Sequence, residues 1–430
     1  MAEETVYDFL QETLIHEQLD NGLSVFIVPK PKFNKTYATF TTNYGSVDNH
    51  FVPLGKDEAR QVPDGIAHFL EHKMFEDEEG DVFQVFGENG AQANAFTSFT
   101  RTAYLFSSTE NAMTHIETLL NFVQHPYFTE ESVEKEKGII NQEIRMYDDN
   151  PDWQLFFGLL RSMYEQHPVK VDIAGTTDSI DEITKDDLYE CYKTFYHPSQ
   201  MALVISGPVD TEEVLGLIRN NQAEKTFAPP EDVQRFYPEE PAAPVEPHKV
   251  TEMSVATPKC LIGFKEKDPG RQGEALLRRE ASLQIALDML FGPGSEAYEA
   301  LYEEGIIDDS FSTDYTAEKT FGFSVLGGDT KHPETLKDRV FKVFETMQQK
   351  DFDADAFERA KKKKIGRFLK QLNSPEFIAN QYTRYQFNEM DLFQTLPVLE
   401  SLTLEDVTEA ARDHFEQKQA AVHIVQREGS

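Results

Sequence analysis

One stretch of this chain is written twice. Ile183-Thr184-Lys185-Asp186-Asp187-Leu188, followed by Met201 to Ile205, recurs as Leu402-Thr403-Leu404-Glu405-Asp406-Val407, followed by Ala420 to Ile424, with the same internal spacing. Each copy reads as a helix leading into a strand. A period near half the chain is too long for a solenoid. It predicts duplication of one α+β domain, each copy a largely antiparallel sheet covered by helices. A chain of 430 residues has room for two such domains.

The order of elements supports the duplication. The first half offers strands at Leu23 to Val28, Thr36 to Tyr44 and Met201 to Ser206, with one long strand from Ala91 to Phe106. Helical patterns cover Asn111 to Val123, Glu130 to Met146, Trp153 to Tyr164 and Asp186 to Phe195. The second half offers strands at Cys260 to Phe264, Ser310 to Tyr315, Thr320 to Leu326 and Ala420 to Val425, and helices at Leu276 to Leu290, Pro333 to Gln348, Asp355 to Gln371, Pro375 to Asn388 and Leu404 to Phe415. Between them Phe227 to Pro247 is rich in proline and reads as a linker; the alternative is an ordered surface loop. The expected boundaries are an N-terminal domain at 1–228, a linker at 229–248 and a C-terminal domain at 249–430.

Charge narrows the function classes. There are 41 Lys+Arg against 76 Asp+Glu, a net charge of -35, and outside Lys361 to Lys364 there is no basic run. A nucleic-acid binder needs a basic footprint, so that class is set aside. No uncharged apolar run reaches membrane-spanning length, and the acidic N-terminus shows neither a basic n-region nor an apolar h-region. Two cysteines, Cys191 and Cys260, suit a reducing compartment. The expectation is a cytoplasmic protein without a membrane span.

The chemistry-bearing feature is His68-Phe69-Leu70-Glu71-His72, placed after the helix-start signal Pro63-Asp64-Gly65. Histidines at i and i+4 share one helix face, and two imidazoles there can hold one Zn²⁺. Glu71 projects on the same side, where a carboxylate can take a proton from water in metal-assisted hydrolysis. The pattern inverts the H-E-x-x-H of common zinc peptidases and is the inverzincin signature. The alternative is two packed or solvated histidines. A third donor is needed, and the helix from Glu130 to Glu143 is the best source: Glu136 and Glu143 lie two turns apart on one face. One can bind metal while the other supports a histidine ring; the alternative is an ordinary solvated face.

H-x-x-E-H with E-x-x-x-x-x-x-E about 70 residues on resembles the pitrilysin/insulinase family of zinc peptidases. The resemblance extends over nearly the whole chain, through GIAHFLEHKMFE, GAQANAFTSFTRTAY, VEKEKGIINQEIRMYDDNPDW and IAGTTDSI. It implies a zinc metalloendopeptidase that hydrolyses extended oligopeptides in a chamber. By this resemblance His68, His72 and Glu143 are the zinc ligands, Glu71 is the general base, and Glu136 orients the site from behind. Asn94 and Ala95 would mark the substrate-binding edge strand, where an extended peptide adds by main-chain hydrogen bonds; the alternative is a well-paired central strand.

Two departures matter. If Val133 aligns with Phe357, Glu136 and Glu143 fall opposite Ala360 and Arg367, and the helix Leu276 to Leu290 has no histidine, so one zinc per chain is expected. Active family members also resemble one another in an Arg and a Tyr seven residues apart in the C-terminal domain. Here Tyr302 stands where Arg is expected, and Asp308 or Asp309 where Tyr is expected. The resemblance therefore implies a heterodimer in which a homologous partner subunit supplies the pair. Two other readings are a non-catalytic structural subunit of the same fold and an unrelated acidic binding protein.

Overall fold

The computed structural model describes residues 2–77 and 80–429. They form two compact units, each built on one sheet.

The first unit holds a seven-stranded sheet in the order Glu3–Tyr7, Glu12–Gln18, Ser24–Pro29, Met201–Gly207, Thr36–Thr42, Thr102–Ser108, Ala91–Thr97. Ser24–Pro29 and Met201–Gly207 pair in parallel; every other neighbour is antiparallel. Thr36–Thr42 and Met201–Gly207 are buried along their whole length. Strands covered on both faces carry no polar-out alternation. Two of the four threonines of Thr36–Thr42 find partners: Thr42 Oγ1 donates to the Phe195 carbonyl at 2.5 Å and Thr39 Oγ1 lies 3.2 Å from Thr383 Oγ1.

The second unit holds a five-stranded sheet in the order His248–Glu252, Ala420–Gln426, Lys259–Lys265, Gly322–Asp329, Ser312–Ala317. Its one parallel pair is formed by the first two strands of that order. Without its first two strands, the larger sheet has the same strand order and the same position for its parallel pair. The duplication read from the sequence is therefore a duplication of topology. The repeated segments carry the same capping box: Thr184 and Asp187 cap Lys185–Phe195, and Thr403 and Asp406 cap Leu404–His414.

The units are not contiguous in sequence. The first takes residues up to Ile144, Asp172–Phe236 and Gln371–Phe387; the second takes Arg145–Val171, Tyr237–Lys370 and the chain from Asn388 onward. Each sheet is thus covered by one helix from the other half of the sequence. Pro151–Met163 packs on the smaller sheet, where His423 Nδ1 meets the Leu155 carbonyl at 3.0 Å and a Cβ on Gly158 would sit 1.9 Å from His423 Cε1. Pro375–Phe387 packs on the larger sheet, with Tyr382 against Phe26 and Asn380 Nδ2 donating to the Tyr37 hydroxyl at 3.1 Å. The boundaries at 228 and 249 drawn from the sequence do not follow this exchange, which comes from long-range packing.

The proline-rich stretch is ordered by specific contacts. Phe236 N donates to the His50 carbonyl at 2.9 Å, and Arg235 pairs with Asp48 at 3.1 Å. Further on, the Glu240 carboxylate accepts from the backbone N–H groups of Glu165, Gln166 and His167 at 2.9, 2.8 and 2.7 Å. A second difference concerns Ala91 to Phe106. It is a hairpin, Ala91–Thr97 and Thr102–Ser108, not one strand. The turn is closed by Ser98, whose N donates to the Arg101 carbonyl at 2.8 Å and whose Oγ accepts from Arg101 N at 3.2 Å. Serine is a turn residue, but alternation running unbroken through the turn hides it.

Candidate metal centre

The motif helix, Ile66–Lys73, starts where Pro63-Asp64-Gly65 places it. Gly65 has φ of +87°, and a Cβ there would fall 2.5 Å from the Ala174 carbonyl oxygen, so glycine is required twice over. Ser179 Oγ fixes the same turn from the other side, donating to the Asp64 carbonyl at 2.8 Å. Ile66, Ala67, Phe69, Leu70 and Lys73 are buried, which leaves His68, Glu71 and His72 together on the opposite, partly open face.

Glu130–Asp148 brings the acids to this face. His68 Nε2 and His72 Nε2 lie 3.9 and 3.7 Å from Glu143 Oε2. Donors around a tetrahedral zinc at about 2.0–2.1 Å stand about 3.3–3.5 Å apart, so small side-chain adjustments would accommodate the ion. Among the described residues, His68, His72 and Glu143 form the one group whose ligand atoms could hold a metal, all within 4.8 Å of one another. Glu136, buried on the same helix, holds the other side of the ring: its Oε1 lies 2.9 Å from His72 Nδ1. That contact fixes the tautomer with Nε2 free to ligate.

The two histidines titrate in opposite directions. Burial, reinforced by neighbouring His72, lowers the His68 pKa to about 4, leaving the neutral imidazole that metals bind. Burial also works to lower the pKa of His72, but the Glu136 hydrogen bond and the nearby glutamates outweigh it, and the net direction is upward. Burial raises the Glu71 pKa, against two hydrogen bonds from Thr97 that pull it down.

Thr97 is the contact that sequence reading missed. Its Oγ1 donates to Glu71 Oε2 at 2.8 Å. Behind them Tyr104 and Tyr196, both fully buried, share a 2.7 Å contact between hydroxyls. The helix-to-strand reach from Glu71 to Thr97 leaves no local signature; the available clue was that Thr97 shares the alternation of Ala93 and Ala95.

Asn94 and Ala95 lie on Ala91–Thr97, which is the last strand of the sheet and, among the described residues, pairs on one side only, with Thr102–Ser108. Asn94 is exposed, and its Oδ1 accepts from the Ala95 N–H at 2.9 Å. In the second unit Tyr302 is exposed, and the adjacent Asp309 carboxylate raises its pKa; Asp308 is engaged by Ser310 Oγ at 2.6 Å.

The chain as a whole is similar to known proteins. The insulinase (peptidase family M16) profile matches residues 51–177, and the peptidase M16 inactive-domain profile matches residues 182–364. YmfH of Bacillus subtilis, described as an uncharacterized zinc protease, is 56% identical over 409 residues, 95% of each chain. The chain belongs to the M16 insulinase family.

Two solved structures share the fold. An M16-like protein of Alicyclobacillus acidocaldarius with a solved structure is 42% identical and superposes with a TM-score of 0.94, covering 96% of this chain and 98% of that one. A protease from Helicobacter pylori, 19% identical, shares the fold with a TM-score of 0.83 over 95% and 98% of the two chains. Among the described residues no helix is long and apolar enough to cross a membrane.

Proposed function

We propose that the chain is a zinc-dependent metalloendopeptidase that hydrolyses extended oligopeptides. The observation that carries this reading is the convergence of His68, His72 and Glu143 on one point, with Glu71 on the same helix face. Two imidazole nitrogens and one carboxylate are the donor set of catalytic zinc sites that keep one position open. When bound, zinc supplies Lewis acidity, polarising a carbonyl and making water easier to deprotonate.

The side chains divide the remaining work. His68 and His72 present Nε2, and Glu143 adds the charge that balances the cation. Glu136 holds the His72 ring. Glu71 accepts the proton of the attacking water and returns it to the leaving amine. The free edge of Ala91–Thr97 takes the peptide as an added strand, with Asn94 and Ala95 at its centre.

The oxyanion side is where this chain departs from a self-sufficient enzyme. Tyr302, Asp308 and Asp309 are engaged with one another or with Ser310, and carboxylates repel a developing oxyanion. We therefore assign the chain to a heterodimer whose homologous partner supplies an Arg and a Tyr. Cys191 and Cys260 are free and buried, which fits a cytoplasmic setting.

The test is zinc content of the purified chain and cleavage of internally quenched peptides, alone and mixed with a homologous protein encoded beside it. Stoichiometric zinc with cleavage abolished in Glu71→Gln supports the reading. Absence of zinc, or equal cleavage by Glu71→Gln, overturns it.

A further inference from the structure

Peptide addition and base catalysis meet at one residue. Ala91–Thr97 ends at Thr97, and Thr97 Oγ1 donates to Glu71 Oε2 at 2.8 Å. The backbone N–H of Thr97 acts on the same carboxylate. Across the hairpin Thr97 pairs with Thr102, whose Oγ1 lies 3.5 Å away and itself donates to the Tyr44 carbonyl at 2.9 Å. Thr102 is fully buried, so this support is fixed from the core side.

A glutamate side chain has three rotatable bonds and no intrinsic preference for one aim. A partly buried carboxylate beside three metal donors has a competing partner: the metal itself. Proton transfer needs the carboxylate within hydrogen-bond reach of the attacking water and off the metal. The Thr97 hydroxyl on Oε2 meets that need, because it holds one oxygen against the strand and leaves Oε1 to take the proton.

We propose that Thr97 is a positioning residue that fixes the Glu71 carboxylate as the base, and that it does so from the strand that receives the peptide. A peptide added along Ala91–Thr97 would stiffen the backbone that carries Thr97, so substrate pairing and base alignment are mechanically one event. This rests on the zinc-peptidase reading, and the experiment below separates the two.

Thr97→Val keeps the shape and β-branching and removes the hydroxyl; Thr97→Ser keeps the hydroxyl and removes a methyl. The full chain is assayed with its partner if one is required, and both variants are also loaded with Co²⁺ for visible spectroscopy. The expected result is a kcat about 10- to 100-fold lower for Thr97→Val at unchanged KM and metal stoichiometry, with Thr97→Ser near wild type. The Co²⁺ spectrum of Thr97→Val should also change in intensity as the released carboxylate reaches the metal, while that of Thr97→Ser should not. Equal losses in Ser and Val, or a raised KM at unchanged kcat, overturns the assignment. A wild-type chain that binds Co²⁺ but cleaves nothing defeats the peptidase reading alone; the spectra still judge Thr97, and identical spectra for wild type and Thr97→Val overturn it.

Discussion

Nδ1 of His72 and Oε1 of Glu136 stand 2.9 Å apart, and that contact decides which nitrogen of His72 faces Glu143. Removing it should weaken metal binding without removing a ligand. Glu136→Gln is expected to lower zinc affinity about 10- to 100-fold. Competition against a chelator of known affinity measures this; an unchanged dissociation constant would detach Glu136 from the site.

The ligands and the base should separate cleanly. His72→Ala should lose stoichiometric zinc, whereas Glu71→Gln should keep it and lose about 10²–10⁴-fold in kcat/KM. Metal analysis and fluorogenic peptide assays on both variants check the pair.

How much of this was legible in the sequence follows the range of each interaction. His68, Glu71 and His72 are set by helix periodicity; Glu136 and Glu143 share a helix face by a two-turn spacing, which left a solvated face open until the family resemblance singled them out. The Glu71–Thr97 bond joins a helix to a strand and left no such mark. The strands Glu3–Tyr7 and Glu12–Gln18 also escaped notice, because their four glutamates break up the run of β-formers there. Helix Pro151–Met163 was found as a helix; which sheet it covers depends on contacts such as Gly158 with His423 that no window of sequence contains.

That contact gives a sign test. At an exposed helix position Gly→Ala stabilises by up to about 1 kcal/mol. At Gly158 the new methyl would overlap His423, so Gly158→Ala should instead destabilise by about 1–3 kcal/mol. A melting temperature that rises would place Pro151–Met163 somewhere other than on the smaller sheet.

His167 should make the second unit acid-sensitive. Its Nδ1 accepts from Val169 N at 3.1 Å and its Nε2 lies 3.2 Å from Thr320 Oγ1, an arrangement for neutral imidazole. Burial lowers its pKa from 6.5 to about 4, with nearby Glu240 opposing and Lys265 assisting. A lowered folded-state pKa means the stability is fully present above about pH 6.5 and is lost as pH falls toward 4. The loss is at most about 3 kcal/mol. Asparagine can accept the same Val169 N–H and does not titrate, so His167→Asn should flatten the urea midpoint between pH 7 and pH 4.5 relative to wild type; parallel curves would refute the assignment.

The oxyanion argument predicts weak or absent turnover by the chain alone. Losing one such donor costs about 10²–10³-fold in rate, and here both expected donors are replaced. Mixing with a homologue that carries the Arg and Tyr should restore turnover by at least that factor. Full turnover by the isolated chain, unchanged on mixing, would show that no second subunit is needed.

The helix exchange also bears on synthesis. The seven-stranded sheet of the unit that holds His68, His72 and Glu143 has all its strands once Gly207 has been translated, yet one of its faces waits for Pro375–Phe387. Until that helix leaves the ribosome, the fully buried strands Thr36–Thr42 and Met201–Gly207 have one uncovered side. The chain must be synthesised through Phe387 before this unit can close, so a nascent chain stalled between Gly207 and Phe387 would present exposed sheet surface to chaperones and to other chains.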